Sequence, residues 1–210
     1  MRLRKRPELH EAIKDYQDIV FLNGQVQEGL VGKKAIVLEI GIGRGSFLTT
    51  LALADKDIFH VGIESQTEVM YFAARKVREA QLSNIRLIHG NADNIEEWFS
   101  DGQVAQIYIN FCDPWPKARH TKRRLVAENF LTKYYKIISS NGILNFKTDN
   151  KDLFTFALEE FRNFGMQVLQ ETKDLHQSEI VNPAWTEYEH KFHKLGMPVC
   201  YAKVGFPPKE

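Results

Sequence analysis

A single carboxylate followed at once by a dense run of cations dominates the chemistry of this chain: Asp113-Pro114-Trp115-Pro116-Lys117-Ala118-Arg119-His120-Thr121-Lys122-Arg123-Arg124. An apolar run over residues 104–111 delivers Asp113, and two prolines stiffen the exit by fixing φ and removing two backbone donors. Five cations then fall within eight residues, namely Lys117, Arg119, Lys122, Arg123 and Arg124. An acid so placed is expected at the mouth of a basic surface that draws an anionic substrate to it. Glu39, Glu64 and Asn91 each stand at or just beyond the end of another short apolar run. With Asp113 they would share the C-terminal ends of successive strands, where open α/β sheets bind ligands.

The turn after the first of those runs narrows the ligand. Gly41, Gly43 and Gly45 alternate directly after residues 35–40, as expected where a backbone passes close to a ligand at a helix N-terminus. The dinucleotide fingerprint needs Gly-x-Gly-x-x-Gly, but the third glycine comes one residue early and position 46 is Ser. Glu39, just before the turn, would repel a pyrophosphate and attract a cationic amino-acid end. S-adenosylmethionine has an ammonium and a sulfonium and no phosphate, so it is the expected cofactor. Glu64, which fits either cofactor, is placed to accept from the ribose hydroxyls, and Asn91 to meet the adenine amine.

Positioning these groups takes an α/β domain. Strands are expected at residues 35–40, 57–64, 85–89, 104–111, 143–147, 166–175 and 198–206, alternating with helices near 46–54, 66–81, 95–99, 125–139 and 152–164. The expectation is a doubly wound, mostly parallel, seven-stranded sheet in one domain over residues 34–210. The helix at 66–81 would bury Val69, Phe72, Ala73, Val77 and Ala80, and the one at 125–139 would stop at Asn141-Gly142. Residues 1–33 show no strong helical or strand period and read as a basic, polar arm with a short apolar patch at 19–22, either a solvated terminus or a nucleic-acid contact. Residues 176–196 are too long and aromatic for a plain turn, which points to function.

Composition sets limits on this picture. A chain of 210 residues with 43% hydrophobic content buries one sizeable core. Its formal charge of +1 leaves the local clustering of cations, not the total, to define a polyanion partner. No run approaches the roughly 20 apolar residues of a membrane span, and the basic start is not followed by the apolar core of a secretory signal. Cys112 and Cys200 are the only cysteines and lack metal-ligand spacing, so a cytoplasmic protein without metal or disulfide is expected.

Glu39-Ile40-Gly41-x-Gly43-x-Gly45, Gly62-Ile63-Glu64, Phe111-x-Asp113-Pro114-Trp115-Pro116-Lys117-x-Arg119-His120-x-Lys122-Arg123-Arg124, Lys147-Thr148-Asp149 and Thr186-x-Tyr188-Glu189 together resemble the bacterial tRNA (guanine-N7-)-methyltransferase family. The glycine turn alone would indicate only a class I methyltransferase. The resemblance implies a Rossmann-like fold and methyl transfer from S-adenosylmethionine to N7 of the guanine at tRNA position 46, in the variable loop, leaving S-adenosylhomocysteine. It implies Glu39, Glu64, Asn91 and Asp113 as cofactor-binding residues, with Asp113 also catalytic. Lys117, Asp149, Thr186, Glu187, Tyr188 and Glu189 would bind substrate, and Arg119, His120, Thr121, Lys122, Arg123 and Arg124 would contact the RNA. Asn91 stands where some relatives carry Asp, and Cys112 where others carry Ser. A monomer or homodimer is expected.

Guanine N7 exposes a lone pair and has no proton to lose, so no general base is needed. Asp113 is therefore expected to orient the base and to favour its growing positive charge. Cys112 as a covalent nucleophile is the rival enzymatic reading, but the adjacent Asp113 would raise a thiol pKa, not lower it. Methylation of another RNA base, or a non-catalytic RNA-binding module, are the remaining alternatives. The module would be expected to have lost glycines or strand-end acids, all of which are present.

Overall fold

The structure, a computed structural model, describes residues 6–21, 26–33 and 35–209. Its described elements run α1 (Pro7–Ala12), a 3₁₀ turn (Ile13–Tyr16), β1 (Val20–Phe21), α2 (Val26–Leu30), β2 (Ile36–Ile40), α3 (Ser46–Ala54), β3 (His60–Glu64), α4 (Thr67–Glu79) and β4 (Ile85–His89). They continue with α5 (Ile95–Trp98), β5 (Val104–Asn110), a 3₁₀ turn (Ala118–Arg123), α6 (Glu128–Ile137), β6 (Ile138–Thr148), α7 (Lys151–Asn163), β7 (Gln167–Thr172), α8 (Glu187–Lys194) and β8 (Cys200–Gly205). The sheet order is β1-β4-β3-β2-β5-β6-β8-β7. The first six strands in that order run parallel, and β8 lies antiparallel to both β6 and β7.

After β2 the chain builds outward through β3 and β4, then returns to place β5 on the other flank of β2. That reversal makes a crevice beyond the C-terminal ends of β2 and β5. The glycine turn leaves β2 there, and Asp113 leaves β5 there.

Strand alternation divides the sheet into unlike faces. Leu38, Ile40, Ile107, Ile109, Leu144 and Phe146 pack with Phe130, Leu131 and Tyr134 of α6 and Phe154 and Phe161 of α7. The opposite face carries Val37 and Tyr108 against Phe47 of α3 and Ala184. Glu39, Asn110, Asn145 and Lys147 are buried as well, and their alternation with the apolar set puts them on this second face. Polar groups buried in the middle of a sheet require partners, and those partners build the site.

Several expectations are corrected. The sheet has an eighth strand, β1, which pairs in parallel with β4. The described residues of the expected arm are also built into the fold: Ile13, Tyr16, Ile19 and Val20 pack with Met70, Ala73, Ala74 and Val77 of α4. Their elements are only two to six residues long, too short to show a period in sequence. The role considered for the basic start falls largely on residues 1–5, outside the described residues. The buried face of α4 is Met70-Ala73-Ala74-Val77, while Phe72 turns out beneath the guanidinium groups of Arg44 and Arg75. Asn141-Gly142 does not end a helix. It lies in a bulge of β6, where a Cβ on Gly142 would sit 2.1 Å from Ile138 Cγ1. The long segment at 176–196 holds α8.

Candidate active site

Two of the turn glycines face open space and the third faces a helix. Gly41 and Gly43 have φ of 77° and 55°, and a Cβ on either would meet nothing within 4 Å. At Gly45, φ 76°, a Cβ would lie 3.0 Å from Ala73 Cβ, so this glycine lets α3 start against α4. Glu64 locks the turn to the end of β3: Oε2 accepts from Gly43 N at 3.2 Å, and Oε1 accepts from the N–H groups of Ser65 and Gln66 at 2.9 Å each. Burial raises the Glu64 pKa, those N–H groups oppose the rise, and the nearby Asp113 carboxylate adds to it.

Glu39 sits beneath the turn with 1% of its surface exposed. Asn110 Nδ2 donates to its Oε1 at 2.9 Å, and its Oε2 has no hydrogen-bond partner among the described residues. Burial pushes its pKa up to about 8, against the opposing effects of Asn110 and the Lys147 ammonium. A buried carboxylate with one free oxygen, under two glycines open on their Cβ side, suits the cationic amino-acid end of S-adenosylmethionine and would reject a phosphate. Asn91 lies in the turn after β4, where its Oδ1 accepts from Asp93 N at 3.2 Å and its Nδ2 donates to Asp93 Oδ2 at 2.9 Å. The residues present therefore fit this cofactor.

Asp113 is exposed at the end of β5, and the chain leading to it is strained. Phe111 and Trp115 have φ of 53° and 41°, a region that bulky side chains enter at a cost of about 1–3 kcal/mol each. Phe111 is held by its N–H on Lys147 O at 2.8 Å and by rings of Tyr188 and Phe192 at 6.3 and 5.8 Å. Arg124 donates to the carbonyls of Pro114 and Trp115 at 3.1 and 3.2 Å while its guanidinium lies 4.3 Å from the Phe156 ring centre. The cationic run thus divides. Arg124 latches the Asp113 loop from within, whereas Lys117, Arg119, Lys122 and Arg123 are exposed. Thr121 closes the 3₁₀ turn onto Ala118 O at 2.8 Å, and His120 meets Trp115 edge-on at 5.6 Å. Cys112, mostly enclosed, has its thiol pKa pushed up to about 12 by burial and then by Asp113, which leaves it un-ionised and a poor nucleophile.

The segment 182–189 forms a strap along the same crevice. Thr186 caps α8 in a reciprocal capping box with Glu189. Glu189 is fully buried and pairs with Lys147 at 3.0 Å, so in this structure it has no surface open to a ligand. Glu187 reaches across the glycine turn, accepting from Ser46 Oγ at 2.5 Å and Lys76 Nζ at 2.9 Å. Tyr188 is 62% exposed, and Asp149, beyond β6, is exposed too. Trp185 packs among His176, His190 and His193, with ring centres 4.4 to 5.0 Å away. Sequence reasoning gave no role to Asn110, Ser46, Lys76 or Lys147. Lys147 carried the one legible signal, a charge interrupting an otherwise buried strand.

A doubly wound sheet with an open glycine turn, a buried acid under it and a carboxylate across the switch point defines a class I, S-adenosylmethionine-dependent methyltransferase. The fold agrees: a S-adenosylmethionine-dependent methyltransferase from Aquifex aeolicus superposes with a TM-score of 0.58 over 95% of this chain and 89% of its own, at 14% identity. A family model described as a putative methyltransferase matches residues 33–202. The tRNA (guanine-N(7)-)-methyltransferase of Staphylococcus aureus strain MSSA476 is 40% identical over 98% of both chains. That of Geobacillus sp. strain WCH70 is 39% identical over 100% of this chain and 97% of its own. The chain belongs to the tRNA (guanine-N7-)-methyltransferase family.

Proposed function

We propose that the protein methylates N7 of a guanine in tRNA, the one at position 46, using S-adenosylmethionine. The observation that carries the cofactor side is the unpartnered Oε2 of buried Glu39 beneath Gly41 and Gly43. Family membership at 40% identity over nearly the full length carries the substrate side. When bound, the cofactor supplies an electrophilic methyl on a sulfonium. Glu39 takes its ammonium, Glu64 its ribose hydroxyls, and Asn91 its adenine.

The remaining work is orientation, because N7 attacks with a lone pair it already has. Asp113 accepts from the guanine N1 and N2 donors, fixes the base in line and stabilises the positive charge that grows on the ring. Asp149, at the neighbouring strand end, shares that face. Lys117 and the exposed cations after it hold phosphates and offset the repulsion of Asp113. Incubation with labelled S-adenosylmethionine and unmodified tRNA, followed by mapping of the modified nucleotide, tests the reading directly. Label at guanine 46 is expected, and label elsewhere or none overturns it. Asp113→Asn is expected to lower the single-turnover rate by about 10²-fold or more, the scale of one lost transition-state contact; a near-normal rate at saturating tRNA would remove Asp113 from this role.

A further inference from the structure

We infer that Lys147 is a positioning residue for methyl transfer, a single buried cation that both moors the strap at 182–189 and serves the cofactor carboxylate Glu39. The inference rests on the reading of Glu39 as the group that takes the cofactor's ammonium.

A lysine ammonium has three protons to donate, and here all three go to the strap. Lys147 Nζ bonds Glu189 Oε2 at 3.0 Å, Asn182 Oδ1 at 2.6 Å and Ala184 O at 3.1 Å. Its side chain is 1% exposed and that of Glu189 0%. The polar attachment of the strap to the sheet at this point thus runs through one ammonium, beside the packing of Ala184 on Val37 and Tyr108. The same ammonium stands 5.0 Å over the ring of Phe47, in the first turn of α3 just beyond the glycine turn. Lys147 also stands opposite Asn110 in the β5–β6 register, and Asn110 donates to Glu39 Oε1 at 2.9 Å; across that one residue the Lys147 charge opposes the effect of burial on the Glu39 carboxylate. At the far side of the turn, Glu187 of the strap holds Ser46 and Lys76. One cation therefore fixes the wall of the cofactor site and supports the charge at its floor.

Packing alone would not require this arrangement. A buried ion pair can often be replaced by uncharged side chains of similar volume at little cost to stability. A cation that also serves Glu39 cannot be replaced so, and the two roles separate in the double variant Lys147→Met/Glu189→Gln. It removes both charges of the ion pair at once, so that neither partner is left as an unpaired buried ion.

Calorimetric titration of S-adenosylmethionine into wild type and double variant, between about pH 6 and 9.5 so that the Glu39 titration is spanned, reads the difference. The double variant is expected to melt as one cooperative unit yet to bind about tenfold more weakly at pH 7. The deficit is expected to narrow as pH rises past about 8, where Glu39 ionises in wild type, whereas loss of the strap contacts alone would weaken binding equally at every pH. A folded double variant with wild-type affinity, or with a deficit that does not change with pH, overturns the inference and leaves Lys147 a structural ion. Should the protein not fold, Lys147→Met/Glu189→Met repeats the measurement, and failure of both to fold also counts against the inference, because Lys147 would then act on the fold. Wild-type protein that does not bind S-adenosylmethionine refutes the cofactor reading itself, a result distinct from a variant without a pH-dependent deficit.

Discussion

Glu39, the proposed cofactor carboxylate, shows how a buried acid costs stability at the level of one residue. An unfolded glutamate titrates near 4.3, whereas burial holds Glu39 at about 8. Between those values the folded protein keeps a proton that the unfolded chain has released. Unfolding then releases a proton, so stability falls as pH rises through this window, by up to about 1.4 kcal/mol per pH unit. Glu39→Gln removes the titrating group while keeping an acceptor for Asn110. In cofactor-free protein the variant is expected to match wild type near pH 5 and to melt several degrees higher by pH 8, while binding S-adenosylmethionine at least tenfold more weakly. Melting curves across pH and calorimetry check both halves, and melting temperatures that track wild type throughout would show that Glu39 does not titrate there. Cys112→Ser makes a contrasting case at the same scale: with the thiol pKa near 12, the single-turnover rate is expected to change by less than about threefold, a small effect for a residue with no chemical part.

At the scale of elements, the strap and α8 show where sequence and structure part. Thr186-x-Tyr188-Glu189 was legible as a motif, and its Ser/Thr-x-x-Glu spacing is also that of a capping box. What could not be read was that Glu189 turns inward to Lys147, because the pairing joins residues 42 positions apart. The interrupted strand at Lys147 was the counterpart signal, but a lone charge does not name its partner. The consequence is a stability phenotype: Glu189→Ala leaves a buried ammonium unpaired and is expected to cost about 3–5 kcal/mol. Thr186→Ala, which removes only the cap, is expected to cost about 1 kcal/mol. Denaturant unfolding of the two variants gives the comparison, and equal small losses would mean that Glu189 is not held by the ion pair. The Asp113 loop was legible only in part for a related reason. Its prolines announced stiffness, but the positive φ at Phe111 and Trp115 and the inward latch of Arg124 depend on Phe156, Tyr188 and Phe192, which come from other elements.

Across the whole molecule, the parallel core was legible because buried strands write themselves as short apolar runs ending in acids or glycines. The described elements before residue 33 were not, since α1, β1 and α2 are short and are stabilised from far along the chain, α1 and β1 by α4 and β4 and α2 by the main core beside α5. Charge followed the same rule. The five clustered cations were visible as one run, yet the fold separates Arg124, bonded to Pro114 and Trp115 carbonyls, from Lys117, Arg119, Lys122 and Arg123 on the surface. Only the exposed group can release counterions from RNA, so the two sets are expected to differ in salt dependence. Arg119→Gln/Lys122→Gln should flatten the slope of log affinity against log salt by about one unit per lost phosphate contact, with little change in melting temperature. Arg124→Gln should do the reverse, lowering stability and slowing methyl transfer while leaving the slope near that of wild type. Binding of unmodified tRNA between about 50 and 200 mM salt separates them, and a slope that falls equally in both variants would place Arg124 on the phosphates instead of inside the loop that carries Asp113.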